Sequence, residues 1–474
     1  MRGYSDVLIG LQYGDEGKGK IVALLAKSYD LIVRFNGGGN AGHTHYFGGS
    51  RIALHQIPSG IFEPNVGSYI ASGCVVNFER LLAEIVDVQQ FVDITDRFFI
   101  ASQATVVQPH HVLFDKITGN DIGTTGNGIG PAYADRALRK IGGRLKNVQV
   151  HYVLSNAENV KEIFVDNYNY VLEKFVDMSD EKHAKIVDSL GDVRQQVERL
   201  VSSAHELKKY VCTDQLWLEG LVRGGKKVLF EGAQAAGLDV VTGNVPYVTS
   251  SHTNAGAAYA EGDLPPKYHR KTFGVAKAIE TRVGAGPFVS EFGRLASEIY
   301  CTKDNGRAHS AEFERFHYNA DELLNSRDHF EIGVALRMIG GEYGATTGRP
   351  RRTGMLDLVQ LRHACRYNGV DELYLNKVDS LADFSRTKLS GVPLVVAYDL
   401  DGKILDYVPP STEDLGMINP VIEYASHISP IAAKERGGLS SEVIQLIARI
   451  EQEVGCAVAG IGVGPCREQV IFYH

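Results

Sequence analysis

Short apolar runs recur along this chain, and each ends in a glycine-rich or polar turn. The clearest are "DVLIGL" (6–11), "LIVRF" (31–35), "KVLFEGAQ" (227–234), "ELYLNKVD" (372–379) and "AVAGIGVGP" (457–465). Runs this short and this apolar predict core strands, and helical patterns separate several of them. Strands alternating with helices point to an α/β fold with a mostly parallel sheet, because parallel neighbours need a crossover between them. Ligands in such folds bind at the carboxyl ends of the strands, so the turns are where chemistry is expected.

The 474 residues would by length alone permit two or three domains. No internal repeat, low-complexity tract or flexible linker divides them, so residues 1–474 read as one unit carrying insertions. Residues 160–210 are charged and helix-spaced, as in Val193, Val197, Leu200, Ala204 and Leu207, which predicts an inserted helical lobe at about 153–222. Ser440 or Ser441 is expected to start another helix, with Val443, Ile447 and Ile450 on one face. A net charge of −8 without a basic block argues against a nucleic-acid partner. Six scattered cysteines without a C-x-x-C pair suit reduced thiols in a cytoplasmic protein. The amino terminus enters a strand without a signal sequence, and no apolar run is long enough to span a membrane.

The stretch "LIGLQYGDEGKGKIVALLA" (8–26) is a strand, a glycine-rich turn and a helix. Such turns hold phosphate, since the glycines let the backbone approach and the free N–H groups of the helix start face the anion. Residues 14–20 fit the P-loop spacing up to the last place, where Ile21 stands instead of the magnesium-binding hydroxyl. The expected architecture is therefore P-loop-NTPase-like, with helices flanking the central sheet. An acid, Asp15, sits inside the loop, where it can ligate a metal, serve as a base, or do both.

Four further constellations follow strands or glycine turns. "FNGGGNAGHTH" (35–45) is a tightly foldable polar loop whose His43 can donate to a transferring phosphate or be a mere turn residue. "NDIGTTGNGIGPAYADRALRK" (120–140) offers Thr124 and Thr125 to a phosphate, then a basic helix with Arg136 and Arg139 three residues apart. Alone it reads better as a loop and a solvated helix face. "GATTGRPRRTG" (344–354) places arginines, which bind carboxylates and phosphates bidentately, in a shaped loop. "NKVD" (376–379) matches the N-K-x-D guanine signature, in which the Asp accepts from the ring N–H and the exocyclic amine of guanine.

With "LHQIPSG" (54–60), "IGTTGNGIGPAY" (122–133), "FEGAQ" (230–234), "PYVTSS" (246–251), "TRVGAGPF" (281–288) and "RRTGMLD" (351–357), these motifs resemble, in order and over nearly the whole chain, the adenylosuccinate synthetase family. That resemblance implies a ligase of AMP biosynthesis. It would couple IMP to L-aspartate with GTP and magnesium, through 6-phosphoryl-IMP, releasing GDP and phosphate. Asp15 would take the purine proton, His43 would act as general acid, and Lys18 and Gln234 would complete the catalytic set. Asp15 and the Gly42 carbonyl would hold one magnesium ion per subunit. GTP would meet Gly14, Asp15, Glu16, Gly17, Lys18, Gly19, Lys20, Gly42, His43 and Thr44, and also Arg351, Lys377, Val378, Asp379, Gly462, Val463 and Gly464. IMP would meet Asp15, Glu16, Gly17, Lys18, Asn40, Ala41, Gly42, His43, Thr125, Gln234, Thr249 and Arg349. Arg139 would reach the IMP of the other subunit in a homodimer. Ala345, Thr346, Thr347, Gly348, Arg349, Pro350 and Arg351 would bind aspartate.

Several positions depart from the family pattern. Gly39 stands where many members carry His, and Pro350 where they often carry Arg. Asn376 stands in place of a common Thr, with the base contact expected to survive. Gly462 and Val463 replace hydroxyl residues. Residues 292–341 are longer than expected and read as a surface insertion beside the aspartate loop, containing Cys301, His309, His317 and His329 without metal-ligand spacing. Two rival readings stand beside the ligase. A relative acting on another 6-oxopurine nucleotide, such as dGMP, would replace the catalytic Asp. A GTP-dependent switch would need neither a second nucleotide pocket nor an arginine loop.

Overall fold

The computed structural model describes residues 3–47, 50–119, 124–344, 348–431 and 439–473. Ten strands form the central sheet: β1 (Tyr4–Gly10), β2 (Leu31–Arg34), β3 (Gly67–Ile70), β4 (Phe98–Ala101), β5 (Val211–Cys212), β6 (Lys227–Glu231), β7 (His269–Lys277), β8 (Glu372–Asn376), β9 (Ala457–Gly462) and β10 (Val470–Phe472). Their spatial order is β5-β4-β3-β2-β6-β1-β7-β8-β9-β10. Every neighbouring pair is parallel except β9 with β10. The carboxyl ends of β1 to β9 therefore open on one edge, and β1 lies in the middle between β6 and β7.

Alternation along the strands explains why they read as unbroken apolar runs. Val7 and Ile9 of β1, Val33 of β2, Val228 and Phe230 of β6 and Leu373 and Leu375 of β8 enter one core. Leu8, Ile32, Leu229 and Tyr374, the residues between them, enter a second core on the opposite face. The helix that follows the phosphate turn, α1 (Lys18–Leu25), seals this second face with Ile21 and Val22. On the first face lie α2 (Phe78–Gln89), α3 (Leu358–Asn368) and α4 (Ser441–Val454). Ser440 caps α4 by accepting from the Val443 N–H, and Val443, Ile447 and Ile450 are buried. Each fully buried aliphatic side chain contributes roughly 1.5–3 kcal/mol relative to exposure.

Residues 157–207 are mainly three helices, Ala157–Phe175, Glu181–Leu190 and Val193–Leu207. The last buries Val197, Leu200, Ala204 and Leu207 at helical spacing. Residues 292–341 hold four helices: Arg294–Gly306, Ala311–His317, Ala320–Leu324 and His329–Gly340. The expectation of a surface insertion fails for the last of these. Ile332, Gly333, Val334, Ala335, Leu336 and Arg337 are all buried, and the Gly333 carbonyl accepts from Thr353 Oγ1 at 2.8 Å. All six cysteines are free. Among the described residues, no helix is long and apolar enough to cross a membrane.

Candidate active site

The turn after β1 is held by its own residues. Gly14 and Gly17 have φ of 101° and 85°, a left-handed backbone that side chains resist. The Glu16 carboxylate folds back into the turn: its Oε1 accepts from the Gly14 N–H at 2.7 Å and the Gln12 N–H at 3.1 Å, while its Oε2 receives the Lys18 ammonium at 2.8 Å. A buried carboxylate in a nest of N–H donors with a lysine shows the chemistry this turn offers to an anion. Lys20 turns the other way and donates to the Gly464 carbonyl at 2.7 Å and the Gln469 carbonyl at 3.1 Å. Burial pulls its ammonium down to about 8.

Asp15 lies at the centre. Its Oδ2 accepts from the Thr281 hydroxyl and lies 3.2 Å from Arg351 Nε and 3.9 Å from Lys277 Nζ. Its Oδ1 is buried without a hydrogen-bond partner among the described residues. Glu342 gathers the surrounding cations, meeting Arg351 Nη1 at 2.5 Å, Lys277 Nζ at 2.8 Å and Lys377 Nζ at 3.3 Å. Burial alone would raise the Glu342 carboxyl, but Lys277, Arg351 and Lys377 outweigh it and hold the group well below the ordinary range. The guanine-motif lysine and the arginine loop thus share one carboxylate beside Asp15.

His43 packs under the turn, where a Cβ on Gly19 would lie 3.0 Å from it. Its Nδ1 meets Glu231 Oε1 at 2.5 Å and Ser59 Oγ at 3.0 Å, and Ser59 Oγ also donates to Glu231 at 2.5 Å. Burial pulls the imidazole below its usual value against the pull of Glu231. Burial would raise Glu231, but His43 and Arg34 bring it down to about 2. The carboxylate fixes the ring and leaves Nε2 for a ligand.

Gln234, at φ 57°, stands between the first two glycine loops. A Cβ on Gly14 would lie 3.2 Å from its Cα, and one on Gly37 would lie 3.1 Å from its Oε1, which is itself buried and unpartnered among the described residues. Ala41 accepts from His55 Nδ1 at 2.7 Å through its carbonyl, and Asn40 Oδ1 accepts from the Gly38 N–H at 3.1 Å. Asn127 Nδ2 donates to the Gly39 carbonyl at 3.2 Å, which docks the loop of Thr124 and exposed Thr125 against the His43 loop. Thr249 is half-buried, with its N–H on the Leu238 carbonyl at 2.8 Å. Asp379 keeps a buried Oδ1 without a hydrogen-bond partner among the described residues, and burial raises its carboxyl. Lys377, at a left-handed φ of 64°, turns its ammonium away to the Gly340 carbonyl at 2.9 Å and Glu342 Oε1 at 3.3 Å. Val378 N–H donates to the Gly462 carbonyl at 3.1 Å, which ties the guanine motif to the Gly462, Val463 and Gly464 turn.

Three expectations need correction or fall outside the described residues. The basic helix ends at Leu138, and Arg139 follows it at φ 60°, exposed, while Arg136 points inward onto the carbonyls of Ser72, Gly73 and Cys74. Asn376 faces the phosphate turn: its Nδ2 donates to the Glu16 carbonyl at 2.7 Å, and a Cβ on Gly462 would fall 2.1 Å from its Oδ1. A hydroxyl side chain at 462 has no room beside it. Ala345, Thr346 and Thr347 lie outside the described residues, as does the side chain of Thr44.

Sequence reading missed Lys277, Thr281, Glu231, Ser59 and Glu342. Thr281, Glu231 and Ser59 lay within matched motifs, whereas nothing local marked Lys277 or Glu342. It also missed a His110, His111 and Asp135 cluster, in which both Nε2 atoms meet Asp135 Oδ2, at 2.8 and 3.2 Å. This cluster is ill-suited to a metal. His111 Nδ1 accepts from the Gln108 N–H at 3.0 Å, so the ring proton sits on Nε2, and Lys146 Nζ stands 4.0 Å from the same oxygen.

A model of the adenylosuccinate synthetase family matches residues 7–471. The chain belongs to the adenylosuccinate synthetase family. It is 42% identical over 471 residues to adenylosuccinate synthetase 2 of Cupriavidus pinatubonensis, covering 99% of this chain and 97% of that one. It is 36% identical to the adenylosuccinate synthetase of Caldicellulosiruptor bescii, covering 98% of each. The solved structure of the fully ligated adenylosuccinate synthetase from Plasmodium falciparum superposes with a TM-score of 0.80 at 28% identity and covers both chains completely. This chain is accordingly a GTP-dependent ligase that joins IMP and L-aspartate in AMP biosynthesis.

Proposed function

We propose that the ligation runs in two steps around Asp15. In the first, the purine O6 of IMP attacks the γ-phosphorus of GTP while Asp15 accepts the proton of the ring nitrogen. The O6–P bond forms, the bond to the β-phosphate oxygen breaks, and GDP leaves. In the second, the aspartate amine attacks C6, the C–N bond forms, and phosphate departs with O6. A bare purine oxygen leaves poorly, and phosphorylation makes it a leaving group. Such transfers depend on positioning and charge neutralisation more than on covalent help.

The observation that carries this reading is the carboxylate of Asp15, with one oxygen fixed by Thr281 and Arg351 and the other buried and open. The open oxygen suits a hard cation, and with the Gly42 carbonyl it would hold one magnesium per subunit. Bound there, magnesium would neutralise the phosphate oxygens of GTP. His43, held by Glu231 through Nδ1, presents Nε2 toward the phosphates and would act as general acid in its imidazolium form, which the Glu231 carboxylate favours against burial. Lys18 and the turn formed by Gly14, Glu16, Gly17, Gly19 and Lys20 hold phosphate, with Thr44 beside them. Asp379, Lys377 and Val378 read guanine, and Gly462, Val463 and Gly464 close the base pocket. Asn40, Ala41, Thr125, Gln234, Thr249 and Arg349 hold IMP, and residues 345–351 hold aspartate.

The working unit is a homodimer in which Arg139 crosses to the neighbouring IMP. Its exposure on a turn flanked by exposed Leu138 and Ile141 supports this. The six free thiols fit the reducing cytoplasm. The deciding experiment measures phosphate release from GTP and follows the succinyl-nucleotide product by mass. Release is expected only with IMP and aspartate together, and not with GMP or dGMP in place of IMP. Release without aspartate would favour a switch, and preference for dGMP would move the substrate.

A further inference from the structure

Arg349, Pro350 and Arg351 lie on one stem of a hairpin. The Arg351 N–H donates to the Glu342 carbonyl at 3.0 Å, the Gly344 N–H donates to the Arg349 carbonyl at 2.8 Å, and Tyr343 bridges Pro350. This hairpin lies off the central sheet, so its register against Asp15 depends on what grips its stems. The grip comes from the long segment between residues 292 and 341.

Glu314, on the helix Ala311–His317, and Arg337, on the helix His329–Gly340, form a bidentate pair. Arg337 Nε and Nη2 donate to Glu314 Oε1 at 3.0 and 2.6 Å, and both side chains are almost wholly buried. Each then reaches one stem of the hairpin. Arg337 Nη1 donates to the Arg351 carbonyl at 3.1 Å, and Glu314 Oε2 accepts from the Tyr343 hydroxyl at 2.5 Å. A buried ion pair cannot drift without exposing an uncompensated charge, so two stems tied to it share its rigidity. The same segment supports the neighbouring arginine. Gly306 ends the helix Arg294–Gly306, and a Cβ there would lie 2.9 Å from Arg349 Cγ, so Arg349 rests on bare backbone.

We propose that Glu314 and Arg337 are positioning residues that fix the arginine hairpin for the carboxylates of aspartate. This rests on reading residues 348–351 as the aspartate site. Among the described residues the pair touches neither the phosphate turn nor the guanine motif, so its effect should fall first on aspartate, next on IMP through Arg349, and least on GTP.

The test measures kcat and the three KM values for Glu314→Gln and Tyr343→Phe, with Arg349→Leu as reference and circular dichroism to confirm folding. Glu314→Gln should raise the aspartate KM by about tenfold or more and the IMP KM by less, while the GTP value stays within about twofold. Tyr343→Phe removes one hydroxyl without unpairing a buried charge, and should raise the aspartate KM about threefold with the GTP value unchanged. If Glu314→Gln does not fold, Tyr343→Phe decides. An unchanged aspartate KM in the folded variants, or a parallel rise in all three KM values, overturns the positioning role. If Arg349→Leu raises the aspartate KM and neither latch variant does, the arginine site stands and the latch falls. If Arg349→Leu leaves it unchanged, the aspartate reading itself is wrong, and the latch falls with it.

Discussion

The loops at the strand ends and the segments off the sheet reach the same site by different physics. The turn after β1 is built from contacts within four residues, Glu16 to Gln12, Gly14 and Lys18, and is placed by the most central strand of the sheet. The arginine hairpin and the helix Ile129–Leu138 are instead pinned by side chains from distant segments. Glu314 and Arg337 hold the first, while His110 and His111 hold the second through its Asp135. Local encoding gives a loop whose geometry follows from the strand. Remote anchoring gives a segment that can be tuned, or lost, by a change far from the chemistry.

The sharpest way to break this contrast is at Asp15, where both kinds of segment meet. Asp15→Asn keeps the shape but cannot accept the purine proton and is a poorer ligand for a hard cation. Turnover should fall by at least about a hundred- to ten-thousand-fold, the range expected for loss of a positioned base. The protein should stay folded by circular dichroism, because the turn is held by Glu16 and Lys18. Near-normal turnover in a folded variant would remove Asp15 from the reaction.

A second strand-end test changes nucleotide choice. If the buried Asp379 oxygen reads guanine, Asp379→Asn should cut GTP use by about a hundredfold, the cost of two charge-assisted hydrogen bonds. It should improve use of XTP, since the new amide can donate to the 2-oxo group. Activity with GTP, XTP and ATP for both proteins measures this. An unchanged preference would take Asp379 out of the base pocket.

Off the sheet, Arg139 should weaken binding of one substrate only. Arg139→Leu loses a charge-assisted contact to a phosphate, about 1.5–3 kcal/mol, and should raise the IMP requirement more than that for GTP. Mixing Asp15→Asn with Arg139→Leu subunits sharpens the test. In a hybrid dimer one site carries both lesions and the other neither, if Arg139 acts across the interface. Activity at low IMP should rise above either parent. Confirmed exchange without recovered activity would confine Arg139 to its own subunit or exclude it from IMP.

The same contrast explains what could be read from the residues alone. The runs of β1, β2, β6, β8 and β9 were legible because burial on both faces leaves an unbroken apolar signature. Their loops were legible because each carries its own glycines and charges. Arg139 was misplaced onto the helix because the change to φ 60° falls between a leucine and a lysine, with no glycine to announce it. Glu342, Lys277, Glu314 and Arg337 were invisible for another reason. A charge on a helix or strand normally faces solvent, and only a partner far along the chain makes it a buried anchor. The buried helix within residues 292–341 did leave a trace in "EIGVALRMIG", apolar on nearly every side, which is what a core helix looks like.

The smallest expected effect concerns the anchor of the helix Ile129–Leu138, and it is read in stability against pH. Burial pulls His110 down to about 3, and His111 also lies below its ordinary value. The His110 ring is therefore neutral in the folded protein over the mildly acidic range, and its Nδ1 is buried without a partner among the described residues, as a neutral ring allows. The unfolded chain takes up these protons near pH 6.5, while folded His110 does not. Unfolding is thus favoured as pH falls below about 6.5, at up to about 1.4 kcal/mol per pH unit for His110, with His111 adding in the same direction. Asp135, whose carboxylate is stabilised by its two histidines, acts in the same direction but only below its unfolded value near 4. Between pH 6.5 and 4 the anchor's share of the slope consequently comes from its histidines, alongside buried His43, which acts in the same direction in wild type and variant alike. His110→Gln keeps a donor for Asp135 and cannot titrate. Its unfolding free energy, followed by urea denaturation, should fall more gently than that of the wild type across this window, by the equivalent of one proton. Parallel curves would show that His110 is charged in the folded state, and that the helix bearing Asp135 is held by an ion pair instead of a neutral hydrogen bond.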